Sequence, residues 1–168
     1  MKIVLDTNIV VSGLLQSQGN PAQVLTLALA GAVQVCHDER ILAEYAEVLA
    51  RPHFKFDPKR VREVLNKIEA DGLAVDAREH SDLDLPDADD EPFLAVALAA
   101  SADFLVTGNL SDYPPGKRRG CAVVARWLRP QRSWSIGGSC RTKIELKHFE
   151  PSSSRIFTRV EFEKFKPN

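Results

Sequence analysis

The sequence predicts an α/β fold organised on a central parallel sheet. Short runs rich in β-branched residues recur along the chain, as in Ile3-Val4-Leu5, Val33-Gln34-Val35-Cys36 and Asp103-Phe104-Leu105-Val106-Thr107. Longer amphipathic or apolar stretches separate them, several opened by a residue that caps helices. Strands alternating with helices at this spacing form βαβ units, and such units build parallel sheets.

Each element follows in order. Residues 2–6 read as a short buried strand that ends on Asp6-Thr7-Asn8, after which apolar residues resume at Ile9-Val10-Val11. Asn20-Pro21 starts a helix, with Asn as N-cap and Pro at the first position, and Gly31 stops it. Val33–Cys36 is the second strand. Asp38 caps the helix ERILAEYAEVLA, whose Ile41, Leu42, Tyr45, Val48 and Leu49 form one apolar stripe, and Arg51-Pro52 ends it. Asp57-Pro58 opens another helix through Val61, Leu65 and Ile68 to Asp71-Gly72. Leu73-Ala74-Val75 is a short strand, followed by the acidic loop EHSDLDLPDADDE over 79–91. The continuous apolar run PFLAVALAASA predicts a buried helix. Residues 103–107 form the next strand, closed by Gly108-Asn109. Ala122–Leu128 completes the pattern as a short strand and helix.

Composition narrows the class of protein. The chain of 168 residues with 44% hydrophobic content suits one domain, here 1–128, with an appended segment. No apolar run approaches the roughly 20 residues of a membrane span, and nothing near Lys2 resembles a leader. Cys36, Cys121 and Cys140 are odd in number and lack metal-like spacing, which predicts reduced thiols and a cytoplasmic protein. Charge is split: residues 1–112 hold 9 Lys+Arg against 19 Asp+Glu, whereas 113–168 hold 13 against 4. That pattern suggests a carboxylate-rich site in one part and a polyanion-facing surface in the other. After about residue 128 the helical pattern stops. Gly137-Gly138-Ser139 reads as a linker, and 143–149 and 156–165 alternate like a β-hairpin appendage.

Singly, each acid has a bland reading. Asp6 ends a strand in a turn, Asp90 caps a helix, Asp103 begins a strand and Asp112 belongs to a loop. Glu44 sits at the margin of its apolar stripe, where an unpaired carboxylate is costly; Glu47 reads as surface. Together they say more. In parallel sheets ligands bind beyond the carboxyl ends of the strands, where Asp6 and Thr107-Gly108-Asn109 lie. A strand-end Asp, a helix-face Glu and a helix-start Asp converging there offer the hard oxygens that Mg²⁺ or Mn²⁺ prefers. Two such ions can promote phosphodiester hydrolysis.

These residues carry a resemblance. Leu5-Asp6-Thr7-Asn8 with Ser12-Gly13-Leu14, Leu42-Ala43-Glu44, the run from Pro86 to Ala97, and Ala102 to Asn109 resemble, in order and spacing, PIN-domain proteins. The likeness is to VapC-like toxin components of bacterial toxin–antitoxin systems and covers about residues 1–128. It implies a Rossmann-like three-layer α/β/α sandwich and a Mg²⁺- or Mn²⁺-dependent ribonuclease. It further implies that Asp6, Glu44 and Asp90 are the catalytic and metal-binding acids, with Thr7, Asn8 and Thr107 shaping the site. Asp90 fits better than Asp87 or Asp89 because it precedes Ala97 by seven residues. The family's usual fourth Asp is Asn109 here, so either Asn109 supplies a neutral oxygen to metal or Asp112 reaches in. A cognate antitoxin that occludes the acidic cleft, an RNA substrate and a homodimer are also implied. Nothing from about residue 129 onward matches the family.

Lys117-Arg118-Arg119, with Arg126, Arg129, Arg132, Trp127 and Trp134, is a candidate RNA-binding run. Histidines 37, 53, 80 and 148 show no partner pattern. Two alternatives differ in class. A catalytically weak PIN-like RNA-binding module is suggested by Asn109. A haloacid-dehalogenase-like phosphatase shares a strand-end Asp but needs an acid where Asn8 stands, and a downstream Lys.

Overall fold

In the strand Lys2–Leu5 (β1), Ile3, Val4 and Leu5 are almost completely buried, as the middle strand of a two-sided sheet requires. The computed structural model describes residues 1–80 and 82–125. The expected appendage from 129, the boundary near 128, and Arg126, Trp127, Arg129, Arg132, Trp134 and His148 lie outside the described residues.

Four strands join β1: Gln34–His37 (β2), Leu73–Ala74 (β3), Phe104–Thr107 (β4) and Val123–Ala125 (β5), in the order β3-β2-β1-β4-β5. Every pairing is parallel. Leu5 stands opposite Val106, so β1 and β4 end side by side. The chain winds from β1 toward β3 on one side and later toward β5 on the other. The β1–β4 boundary is therefore the switch point, the place where open α/β sheets take ligands. Helices cover the sheet, giving the three-layer α/β/α arrangement expected.

One helix was not expected. Thr7–Leu15 (α1) begins directly after β1, with Asp6 as its N-cap accepting from the Asn8 amide at 3.1 Å. The stretch is apolar on all sides and rich in β-branched residues, so it shows no helical period. Burial of Ile9, Val10, Val11 and Leu14 overrides that propensity. The second helix, Asn20–Leu29 (α2), is capped by Gly19 rather than Asn20; Gly19 has φ +110°, a left-handed backbone that glycine takes readily.

Asp38 caps Glu39–Leu49 (α3) through the Ile41 amide at 3.0 Å, as expected. Ile41, Tyr45 and Leu49 are buried, while Leu42 and Val48 are half-buried. Asp57 caps Pro58–Asp71 (α4) through the Lys59 amide at 2.9 Å. Here Val64, not Leu65, joins Val61 and Ile68 in the core. Glu91–Ala99 (α5) buries Phe93 through Ala97, which explains its lack of a polar face. Among the described residues no helix is long and apolar enough to cross a membrane.

Candidate functional site

The site starts from the switch point. Asp6 is 5% exposed and Thr107 fully buried, two polar groups in a place the sheet fills with aliphatic side chains. They satisfy one another: Thr107 Oγ1 donates to Asp6 Oδ2 at 2.5 Å, while the Asn8 amide occupies Oδ1. Asn8 spans the same gap. Its Oδ1 accepts from the Gly108 amide at 2.6 Å, and its Nδ2 donates to Thr107 Oγ1 at 3.4 Å. A Cβ at residue 108 would stand 2.7 Å from Asn8 Oδ1, so glycine permits the approach. The same carboxamide stands where the phosphatase reading needs an acid, and it is engaged in holding the turn.

Glu44 is brought to this edge by α3. Thr7, at the start of α1, donates its hydroxyl to Glu44 Oε1 at 2.5 Å, so the residue beside Asp6 orients the second acid. Tyr45 on the next position donates to the Leu5 carbonyl and pins α3 to the end of β1. Asp90 stands at the N-cap position of α5 but makes no capping bond, contrary to its bland reading. Instead its Oδ1 accepts from the Tyr113 hydroxyl at 3.3 Å. Asp87 is the residue spent on capping, holding the Asp89 amide at 3.0 Å. Asp103 belongs elsewhere: it accepts from the Lys2 amide at the opposite end of the sheet, at 2.8 Å.

The acidic loop is fixed rather than merely solvated. In Asp82-Leu83-Asp84-Leu85 the leucines are buried and the aspartates exposed, with φ near +57° at both aspartates. Lys117 bonds Asp84 through its carboxylate at 2.8 Å and through its carbonyl. Arg119 donates to the Asp82 carbonyl at 3.1 Å, and Arg118 to the Tyr113 carbonyl at 2.7 Å. The basic run expected to face RNA thus clamps the loop that leads to Asp90.

Electrostatics tie the acids together. Burial raises the carboxyl of Asp6, against the bonds from Thr107 and Asn8, and Asp112 raises it further. Burial also raises Glu44, with Asp6 and Asp89 adding to the effect. Asp90 is pushed up to about 7, first by burial and then by Asp6 and Asp112. None of the ion pairs among the described residues involves Asp6, Glu44, Asp90 or Asp112. Neighbouring carboxylates without a cation repel one another, and hard anionic oxygens are the donor set that suits a Mg²⁺- or Mn²⁺-like ion. Among the described residues, no three His, Cys, Asp or Glu side chains stand within reach of a single ion. The acids meet through their fields rather than in a closed cluster.

Asn109 is engaged by its own loop. Its Nδ2 donates to Asp112 Oδ1 at 2.8 Å, and its Oδ1 accepts from the Ser111 hydroxyl at 2.6 Å. The amide therefore steers Asp112, the acid whose charge reaches Asp6 and Asp90. Sequence reasoning missed Tyr113 as a site residue. Its signal was weak: a tyrosine between Asp112 and Pro114 shows no period that announces complete burial.

A family model described as PIN domain matches residues 2–111. No curated protein matches the chain. Among solved structures, the chain is similar to one of VapBC2 from Rickettsia felis bound to a promoter DNA fragment, with TM-score 0.51 and 17% identity, covering 74% of this chain and 98% of that one. It is also similar to FitAB bound to an IR36 DNA fragment, with TM-score 0.51 and 21% identity, covering 77% and 98%. At these identities the likeness is one of fold.

Proposed function

Because the chain belongs to the PIN-domain family of nucleases, we propose that it is a divalent-cation-dependent endoribonuclease, acting as the toxin of a toxin–antitoxin pair. One observation carries the catalytic part: Asp6 raises the proton affinity of both Glu44 and Asp90, which come from separate elements, and none of the three forms an ion pair among the described residues. These acids would hold Mg²⁺ or Mn²⁺ once the ion draws their side chains together, and Asp112, steered by Asn109, would supply the further charge. When bound, the cation supplies the positive charge that the acids lack and the Lewis acidity that phosphodiester hydrolysis needs. The chain's own residues prepare that site. Thr107 and Asn8 aim Asp6 and favour its ionised form against the effect of burial, Thr7 does the same for Glu44, and Tyr113 holds Asp90.

The partner assignment rests on the fold. Both similar solved structures carry the names of two-component complexes, VapBC2 and FitAB, and each was solved with DNA. By that likeness this chain would pair with a cognate antitoxin; the homodimer and the cytoplasmic location are proposed from the family resemblance of its sequence alone. A second reading, an RNA-binding module with weak catalysis, is favoured by Asn109, whose carboxamide oxygen is engaged by Ser111.

The test incubates purified protein with single-stranded RNA, with Mn²⁺ or with chelator, beside Asp6→Asn. Internal cleavage that needs Mn²⁺ and disappears in Asp6→Asn is the expected result. Cleavage insensitive to chelator would overturn the assignment, and RNA binding without cleavage would select the second reading.

A further inference from the structure

Residues 51–62, RPHFKFDPKRVR, join α3 to α4 and carry a chemistry opposite to that of the acidic site. Of the 9 Lys+Arg in residues 1–112, five fall here (Arg51, Lys55, Lys59, Arg60, Arg62), beside a single acid, Asp57. All five cations are exposed. Asp57 is already engaged as the cap of α4. Arg51 pairs with exposed Glu47 at 3.0 Å, a contact worth little in water. The other four form no ion pair among the described residues. This contrasts with Lys117, Arg118 and Arg119, which are engaged on the acidic loop and on Tyr113.

The aromatic residues are arranged to match. Pro52–Phe54 makes one 3₁₀ turn, and Lys55 then takes a left-handed backbone with φ +54°. Across that reversal the rings of Phe54 and Phe56 stack, with centroids 5.4 Å apart and planes 21° from parallel. The exposed His53 ring lies 3.9 Å from Phe54. Both phenylalanines keep part of their surface in water.

We infer that this corner is a platform for single-stranded RNA, with bases stacking on His53, Phe54 and Phe56 and phosphates held by Lys55, Lys59 and Arg60. Aromatic faces interleaved with free cations bind unpaired bases with little regard to sequence. A duplex would keep its bases stacked inside and offer none to the rings. A protein partner fits less well, because lysine is depleted at protein interfaces and here a lysine separates the two rings. Pro52 lies eight residues beyond Glu44 in the sequence, just past the end of α3 at Leu49. The inference rests on the nuclease reading only in naming RNA as the polyanion.

The experiment measures anisotropy of a fluorescein-labelled oligouridylate bound to the full chain, in chelator, so that binding is read apart from cleavage. Phe54→Ala with Phe56→Ala is expected to weaken binding about tenfold or more. Lys55→Gln, Lys59→Gln and Arg60→Gln together should reduce the slope of log affinity against log salt by about 2. Melting followed by circular dichroism compares folding. If the aromatic variant melts early, the charge variant, which alters only exposed side chains, decides the matter. Wild-type affinity and salt slope in a folded variant would overturn the platform. So would loss of self-association in sedimentation with RNA affinity unchanged, which would assign the corner to protein contact. A wild-type chain that binds RNA through the rings yet never cleaves it would remove the nuclease reading and leave the platform standing.

Discussion

Thr107, the last residue of β4, donates its hydroxyl to Asp6, the residue that follows β1, and so ties together the ends of two neighbouring strands. The bond stabilises the ionised form of a buried acid. Its removal in Thr107→Val favours the protonated form, so the acid limb of the cleavage pH profile should move to higher pH. The Asn109 amide, 2.9 Å from the same oxygen, would also lose its acceptor. A loss of about 1–3 kcal/mol in stability should accompany the shift, read by urea denaturation.

The position of Asp90 sets a pH dependence for the metal-free protein. Its carboxyl is raised from 3.8 to about 7, first by burial. Between those values the folded state keeps a proton that the unfolded chain has released, so stability falls as pH rises through this window and then levels off. Thermal melts should show a steeper slope in wild type than in Asp90→Asn, in which only the raised Asp6 and Glu44 carboxyls remain. Added Mn²⁺ should raise the midpoint more at about pH 8 than at about pH 5, because the acids must ionise to bind it. Equal slopes in the two proteins would show that another group governs the transition.

How much of this was legible in the sequence depended on whether a residue's role was local. Asp38 and Asp57 were readable as caps because capping involves the next three residues. The strands were readable because burial on both faces makes them uniformly apolar. Helix α1 was not, since burial of most of its surface erased its period. Asp6, Glu44 and Asp90 were legible as a set through family spacing, but their tethers were hidden. Thr7 to Glu44 and Tyr113 to Asp90 span many residues, and only the folded topology brings them together. The basic run illustrates the limit: Lys117 reads as a free cation until the loop carrying Asp84 is placed beside it.

Tyr113 offers a test of positioning. It is fully buried, its hydroxyl meets Asp90, and burial holds its own ionisation well above the usual phenol range. It therefore acts as a fixed donor at every accessible pH. Tyr113→Phe keeps the ring's packing and removes the donor, which pushes the Asp90 carboxyl still higher. Cleavage at neutral pH should fall several-fold and recover in part as pH is raised, with melting changed by no more than about 1–2 kcal/mol. A uniform loss at all pH values would mean that the hydroxyl serves packing alone.

Gly13 sets two effects against each other. It lies inside α1, where alanine would be favoured by roughly 1 kcal/mol on helix propensity. A Cβ there, however, would stand 2.9 Å from the Pro21 carbonyl oxygen and 3.0 Å from two atoms of Leu25, all on α2. Backbone oxygen cannot swing aside as a flexible side chain can, so α1 and α2 must separate. Overpacking of this kind costs about 1–3 kcal/mol, which outweighs the propensity gain. Gly13→Ala should therefore lower stability, and the shift of α1 should disturb Thr7 and Asn8 at its first turn. The check is a denaturation curve together with the Mn²⁺-dependent rate: a stabilised and fully active Gly13→Ala protein would show that helix propensity, not the approach of α2, decides at this position.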